Sequence, residues 1–221
     1  MQTFSQAKKL TYFAVLTALT LVLQLLGNTV KIGILTLNFS LIPIVLAAIL
    51  LGVWYGTALG AITGLIILLN CGVLGADGFT NVLFASDPVV ISLVCIVKTA
   101  AAGAVSALLF KWIKRYNGFA ATVIASGIVP VINSGIFILG MLCIIPSLRE
   151  FGFIAEGANA FATIVLVFVG LNFVFEFALN VIVAPALYRV INVVDSTLFS
   201  KNNRTSAAQE TTTEKNDKDE E

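Results

Sequence analysis

The run from Val165 to Arg189 is apolar enough to lie in a bilayer, yet it carries Asn172, Glu176 and Asn180 at four-residue spacing. Each four-residue helical step turns ~40° beyond a full circle, so the three side chains share one narrow face. An ionisable group inside a membrane span costs ~2.5–3.5 kcal/mol on insertion scales and survives where it faces a bundle interior or a wet cavity. The stripe must therefore be buried against other helices, and the rest of the chain must supply them.

It has the composition to do so. Of its 221 residues 58% are hydrophobic and only 11% charged, whereas soluble domains are about a quarter charged. A spanning helix takes ~20 apolar residues, so Leu10 to Val194 holds about six with short connections and no separate soluble domain. Membrane barrel strands alternate in polarity; these segments are continuous Leu, Ile, Val and Ala instead. The expected fold is all-α, a polytopic membrane protein with a bundle of six transmembrane helices over residues 1–194. Residues 195–221 turn to Ser, Asn, Thr, Lys and Glu without apolar periodicity and read as a disordered cytoplasmic tail.

The first span covers Leu10 to Leu26. The two lysines before it give a superficial likeness to a signal peptide, but no A-x-A-like site follows and further spans do, so it reads as a retained helix. Thr29 to Asn38 reads as a loop that re-enters or folds over the surface. Span two runs from Phe39 to Leu51, with Pro43 in its first turn, where a missing N–H is tolerated. Span three runs from Gly56 to Leu69, and both are short for a full crossing. Asn70 to Asp87 reads as a long external loop, and Pro146 to Asn159 as another. Spans four and five run from Pro88 to Trp112 and from Phe119 to Ile145, with Pro130 as a kink. Span six is the striped run, bent at its end by Pro185.

Basic residues near span ends set the orientation. With the N-terminus inside, Lys8, Lys9, Lys111, Lys114, Arg115 and Arg189 collect on the inner side, against Lys31 and Arg149 outside. Both termini are expected to be cytoplasmic.

Lys98 lies eleven residues beyond Asp87, ~16 Å into its span at the helical rise. Asn133 reaches comparable depth on the oppositely directed fifth span, and Asn172 and Glu176 lie ~18–24 Å below the start of the sixth. These spans can pool a lysine, a carboxylate and amides in one pocket for a polar small molecule, or join them merely to hold helices together. Buried ions need partners, and Lys98 with Glu176 is the only opposite-charge pair inside the spans. Asn180 lies nearer the inner interface.

Gly52, Gly56, Gly60 and Gly64 form a four-residue series that lets helix backbones approach closely, and it reads as internal packing of span three. Ala14 and Ala18 make a second small-residue face on span one, extended back by Thr11 and Ala7. The net charge of +1 gives no sign of a nucleic-acid partner. Cys71, Cys95 and Cys143 lack metal-site or disulfide spacing and read as small buried hydrophobes. Histidine is absent, as are phosphate-loop, H-E-x-x-H and G-x-S-x-G patterns, so neither a cofactor, a metal nor a catalytic residue is expected, and an intramembrane enzyme lacks a nucleophile.

The segments AVLTA (Ala14 to Ala18), FSLIPIVLAAILLGVWYGTALGAITGLI (Phe39 to Ile66), INSGIF (Ile132 to Phe137) and NFVFEFALNVIVAPAL (Asn172 to Leu187) resemble the substrate-binding S components of energy-coupling factor (ECF) transporters. The likeness covers Lys8 to about Asn192. It implies six helices and high-affinity binding of a vitamin or related micronutrient, with riboflavin and pantothenate both open, near the outer face of a bacterial cytoplasmic membrane. It also implies association with a membrane-embedded T component and two cytosolic ATPases. Carried onto this sequence, the family's docking face on the first helix falls on Ala14 and Ala18. Its pocket falls on Lys98, Asn133, Asn172 and Glu176, with Thr29 to Asn38 and Asn70 to Asp87 as lids. The alternative function is a stand-alone secondary transporter or channel for a small polar solute.

Overall fold

The computed structural model describes residues 6–32 and 35–194; the predicted tail falls outside them. The order is α1 (Gln6–Gly27), a two-residue antiparallel ladder of β1 (Lys31–Ile32) with β2 (Leu35–Thr36), then α2 (Leu41–Leu51) and α3 (Val53–Val73). It continues with α4 (Gly78–Ser86), α5 (Pro88–Ile113), α6 (Gly118–Cys143), α7 (Ile145–Glu150) and α8 (Ala160–Val194). Among the described residues five helices are long and apolar enough to cross a membrane, and α2 is the shorter sixth. The chain is an all-α multi-pass membrane bundle.

At 11 residues α2 is only ~16 Å long, too short for a ~30 Å hydrocarbon layer. Its position explains the length. Leu41, Ile44, Val45 and Ala47 are fully buried, so α2 packs among other helices instead of matching lipid on its own. Gly52, the single residue between α2 and α3, has φ 96°, a region open to glycine and costly for other side chains. The other three series glycines face protein: a Cβ on Gly56 would meet Ala48 Cα at 2.8 Å, and one on Gly60 or Gly64 would strike the Thr99 or Cys95 carbonyl oxygen of α5. The series is internal packing, as expected, with Gly52 serving the turn instead. Gly60→Ala should therefore lower stability by about 1–3 kcal/mol, the usual cost of overpacking, seen as a lower thermal midpoint in detergent. An unchanged midpoint would mean that α3 and α5 can separate freely.

Three expectations need correction. Asn70 to Asp87 is not a continuous loop: α3 runs on to Val73 through π-helical turns at Leu68–Val73, and α4 follows. Its aspartates explain why. Asp77 caps α4, accepting from the Thr80 N–H, and Asp87 caps α5, accepting from the Val90 N–H, each meeting a helix-start donor that lacks an intrahelical partner. The segment after α6 likewise forms α7, and the last span starts at Ala160, with π-helical turns over Thr163–Gly170. Finally, Cys71 and Cys95 are buried but Cys143 is exposed on the outside of the bundle.

Two apolar cores result. One, around Ile44, Leu59, Ala102, Val129 and Leu187, lies toward the end of the bundle where α5 ends and α6 begins. The other, around Cys71, Phe79, Ile91, Met141 and Phe168, lies toward α4 and α7. On α5 Lys98 falls between Cys95 of one core and Ala102 of the other; on α6 Asn133 falls between Val129 and Met141; on α8 Glu176 falls between Val169 and Leu187. The polar residues thus form a layer between two cores.

A polar cavity between α5, α6 and α8

That layer holds a cavity of about 40 Å³. Lys98, Asn133 and Asn172 line it, and all three are buried. Glu176, only 1% exposed, sits behind the wall instead. The stripe on α8 is thus turned inward, which removes its polar groups from lipid. Glu176 Oε1 accepts the backbone N–H of Asn38 at 3.1 Å and Asn172 Nδ2 at 2.9 Å. Its carboxylate so ties the β2–α2 connection to α8 across 138 residues of sequence. Asn180 is buried as well, but its Nδ2 donates to the Glu176 carbonyl of its own helix and it does not line the cavity.

The Lys98–Glu176 pairing that the sequence leaves open does not close into an ion pair. Lys98 Nζ lies over the ring of Phe137, 4.9 Å from its centroid, and among the described residues no carboxylate oxygen comes within ion-pair distance of it. Lysine and carboxylate lie near the same depth on their helices, as the helical rise requires, and they interact by charge without direct contact.

Much of the remaining wall comes from the two segments expected as lids, Thr29 to Asn38 and Asn70 to Asp87, whose individual lining residues were not singled out. Asp77 is 3% exposed and lines the cavity with Thr80, whose hydroxyl donates to Asp77 Oδ2. Thr36 and Asn38 close it from the β2–α2 side, and Ser134 and Phe137 extend the Asn133 face of α6. Both π-helical segments reach it, through Cys71 and Val169; such turns recur at functional sites because they re-aim side chains within a helix. Beyond the cavity, Phe79 of α4 packs edge-on against Phe153 and Phe168 with centroids 4.8 and 5.1 Å away. The trio roofs this end of the bundle.

A second buried network joins α1 to the same wall. Ser40 Oγ donates to Gln24 Oε1 at 2.8 Å, Gln24 Nε2 donates to Asn28 Oδ1 at 3.1 Å, and Cys71 Sγ approaches that oxygen at 3.6 Å. Gln24 is fully buried, so Gln24→Leu leaves the Ser40 hydroxyl without its acceptor. A buried polar group so orphaned costs about 1–3 kcal/mol, and the thermal midpoint in detergent should fall accordingly. A midpoint equal to wild type would show that water replaces the amide.

Among the described residues four buried acceptors have no hydrogen-bond donor: Asn133 Oδ1, Asn172 Oδ1, Glu176 Oε2 and Asn180 Oδ1. Buried polar atoms are paired in the great majority of proteins, and two of these four belong to residues that line the cavity. The arrangement can bind a polar solute through its own N–H or O–H groups.

No curated protein matches the sequence. The family model described as "ECF transporter, substrate-specific component" matches residues 8–188, nearly the whole described bundle. With its inward polar layer, its six apolar helices and this match, the chain belongs to the substrate-specific components of ECF transporters, the membrane subunits that bind the transported solute for an ECF importer.

Proposed function

We propose that the cavity walled by Lys98, Asn133 and Asn172 and braced by Glu176 is the substrate site, and that the solute it captures is a water-soluble vitamin or related micronutrient. The observation that supports this reading is a buried polar cavity lined by Lys98, Asn133 and Asn172, whose two amide oxygens have no donor within the protein. A space of about 40 Å³ takes about three waters, whereas pockets for drug-sized ligands run to ~300–1,000 Å³. Substrate entry therefore displaces part of the roof, and the β1–β2 ladder with Asn38 and the α4 segment with Phe79 are the elements placed over it.

In the same reading the chain works with a T component and two cytosolic ATPases in a bacterial cytoplasmic membrane, with both termini on the cytoplasmic side. The excess of lysine and arginine on that side supports the orientation. Ala14 and Ala18 supply the docking face for the T component. Both are exposed, while Leu16, Thr20, Gln24 and Gly27 on the opposite side of α1 are buried. The face is available without disturbing the bundle.

Native mass spectrometry of the full chain, purified in detergent from the membrane of its own host, tests the reading. A retained small molecule and copurified ATPases are expected. Neither ligand nor partners would favour a stand-alone transporter instead. Asn133→Ala should weaken binding of the retained molecule about tenfold, the value of one good hydrogen bond in a buried site. Unchanged affinity by calorimetry would reduce Asn133 to a packing residue.

A further inference from the structure

The two ends of the bundle meet the bilayer differently. Both tryptophans and all four tyrosines lie toward the end where α5 passes into α6. Tyr12 stands near the start of α1, Trp54 and Tyr55 near that of α3, and Trp112 and Tyr116 at the α5–α6 turn. Tyr188, near the end of α8, packs edge-on against Phe119 with centroids 5.5 Å apart. Lys8, Lys9, Lys111, Lys114, Arg115 and Arg189 share this end. The described acids, Asp77, Asp87, Glu150, Glu156 and Glu176, lie in the polar layer or toward α4 and α7. At 26 residues α5 is ~39 Å long, more than a ~30 Å hydrocarbon layer, so its last turn stands among lipid headgroups. Leu108, Lys111, Trp112 and Arg115 follow at i, i+3, i+4 and i+7, one face of α5 and the turn that continues it, and all four are exposed. Arg115 Cζ lies 4.8 Å from the Tyr116 ring centroid and 5.9 Å from that of Trp112. Stacking through its face leaves a guanidinium's N–H edge for an anion.

Apolar surface, then an aromatic ring, then cations: along this face the order is that of a phospholipid from acyl chain to headgroup. We propose that the face binds an anionic phospholipid. Its negatively charged headgroup meets Lys111 and Arg115, its glycerol level rests against Trp112, and an acyl chain lies along Leu108. A zwitterionic lipid brings a positive charge to the same cations and gains little. An acidic segment of a soluble protein matches the cations but leaves Leu108 and Trp112, 54% and 61% exposed, uncovered. Each lysine or arginine close to an anionic membrane surface is worth about fivefold in binding. The side of the membrane that the turn faces does not enter, since a headgroup layer lies at either.

The experiment uses the full chain with Trp54→Phe, which leaves Trp112 as the sole tryptophan, in vesicles of phosphatidylcholine. A minor share of the lipid is replaced by either phosphatidylglycerol or phosphatidylcholine brominated high on its acyl chains. Quenching of Trp112 fluorescence then reads which lipid gathers beside it. Brominated phosphatidylglycerol should quench as though enriched at least about fivefold over brominated phosphatidylcholine. Lys111→Gln together with Arg115→Gln should abolish the enrichment, whereas Arg149→Gln, at the other end of the bundle, should leave it unchanged. Equal quenching by the two lipids overturns the proposal, and is the result expected if the acid-rich residues 210–221 cover this face instead. Enrichment that survives the double glutamine variant overturns it by placing the lipid elsewhere. Enrichment that Arg149→Gln removes just as fully overturns it by reducing the effect to net charge.

Discussion

Ala14→Leu and Ala18→Leu should abolish uptake by cells that carry the ATPase module while leaving substrate affinity of the purified chain unchanged. Ala7, Thr11, Ala14 and Ala18 follow one another on an exposed side of α1. The residues that α1 buries, Leu16, Thr20, Gln24 and Gly27, lie ~200° away around the helix at 100° per residue. Of the long apolar helices α1 is also the least covered, with 22% of its apolar stretch buried against 50% for α3 and α5. Without hydrophobic driving force between helices in lipid, association depends on close backbone approach at small residues. A leucine there holds the partner helix off and costs about 1–3 kcal/mol per site, so the double variant should lose two orders of magnitude or more in complex formation. Exposed substitutions leave fold stability within about 0.5 kcal/mol, and ligand binding at the other end of the bundle should not respond. The measurement is labelled-substrate uptake beside calorimetry on the same variants. Normal transport by both would show that the T component docks elsewhere.

Much of this arrangement is legible in the residues. The four-residue spacing of Asn172, Glu176 and Asn180 demands an inward face whatever the neighbours are, because lipid cannot satisfy those groups. The glycines at 56, 60 and 64 likewise require a close helix, and α5 supplies it. Depth along a span follows from the helical rise, so Lys98, Asn133 and Asn172 meet at one level, as their numbering implies.

Direction around each helix axis does not follow from depth. Lys98 and Glu176 are near enough to attract one another yet form no ion pair, and no spacing rule would separate those outcomes. The Asn38 contribution was hidden for another reason: the group that binds Glu176 is a backbone N–H, which every residue but proline carries. Asp77 was read as a surface loop acid because α4, 9 residues long, is too short for its apolar period to stand out. Its signal was the Asp77-Gly78-Phe79-Thr80 order, an N-cap with a partner three residues on. Phe137 could have been found, since it stands one helical turn from Asn133 and so on the same face of α6. The π-helical turns of α3 and α8 carry no composition mark, and they lengthened both helices beyond the boundaries expected.

Glu176→Ala should cost the most affinity of any single change at the site, about 100-fold, although the residue does not line the cavity. The carboxylate is the shared acceptor of two donors, the Asn38 N–H and Asn172 Nδ2. Deleting it orphans two buried donors, at ~1–3 kcal/mol each, and leaves a void behind the Asn172 side chain. The β2–α2 connection then loses its tie to α8, and Asn172 loses the bond that fixes its amide plane. One of the amides that line the proposed substrate site becomes free to rotate. Glu176→Gln separates geometry from charge. Its amide oxygen can still accept from both donors, and its Nε2 replaces Oε2, which has no donor. That variant should bind less well than wild type but within about tenfold, with most of the thermal midpoint retained. Calorimetry and thermal unfolding of the three proteins decide the matter. If Glu176→Ala binds substrate as tightly as wild type, the tie to Asn38 serves folding alone, and the pocket is positioned by α5 and α6 without it.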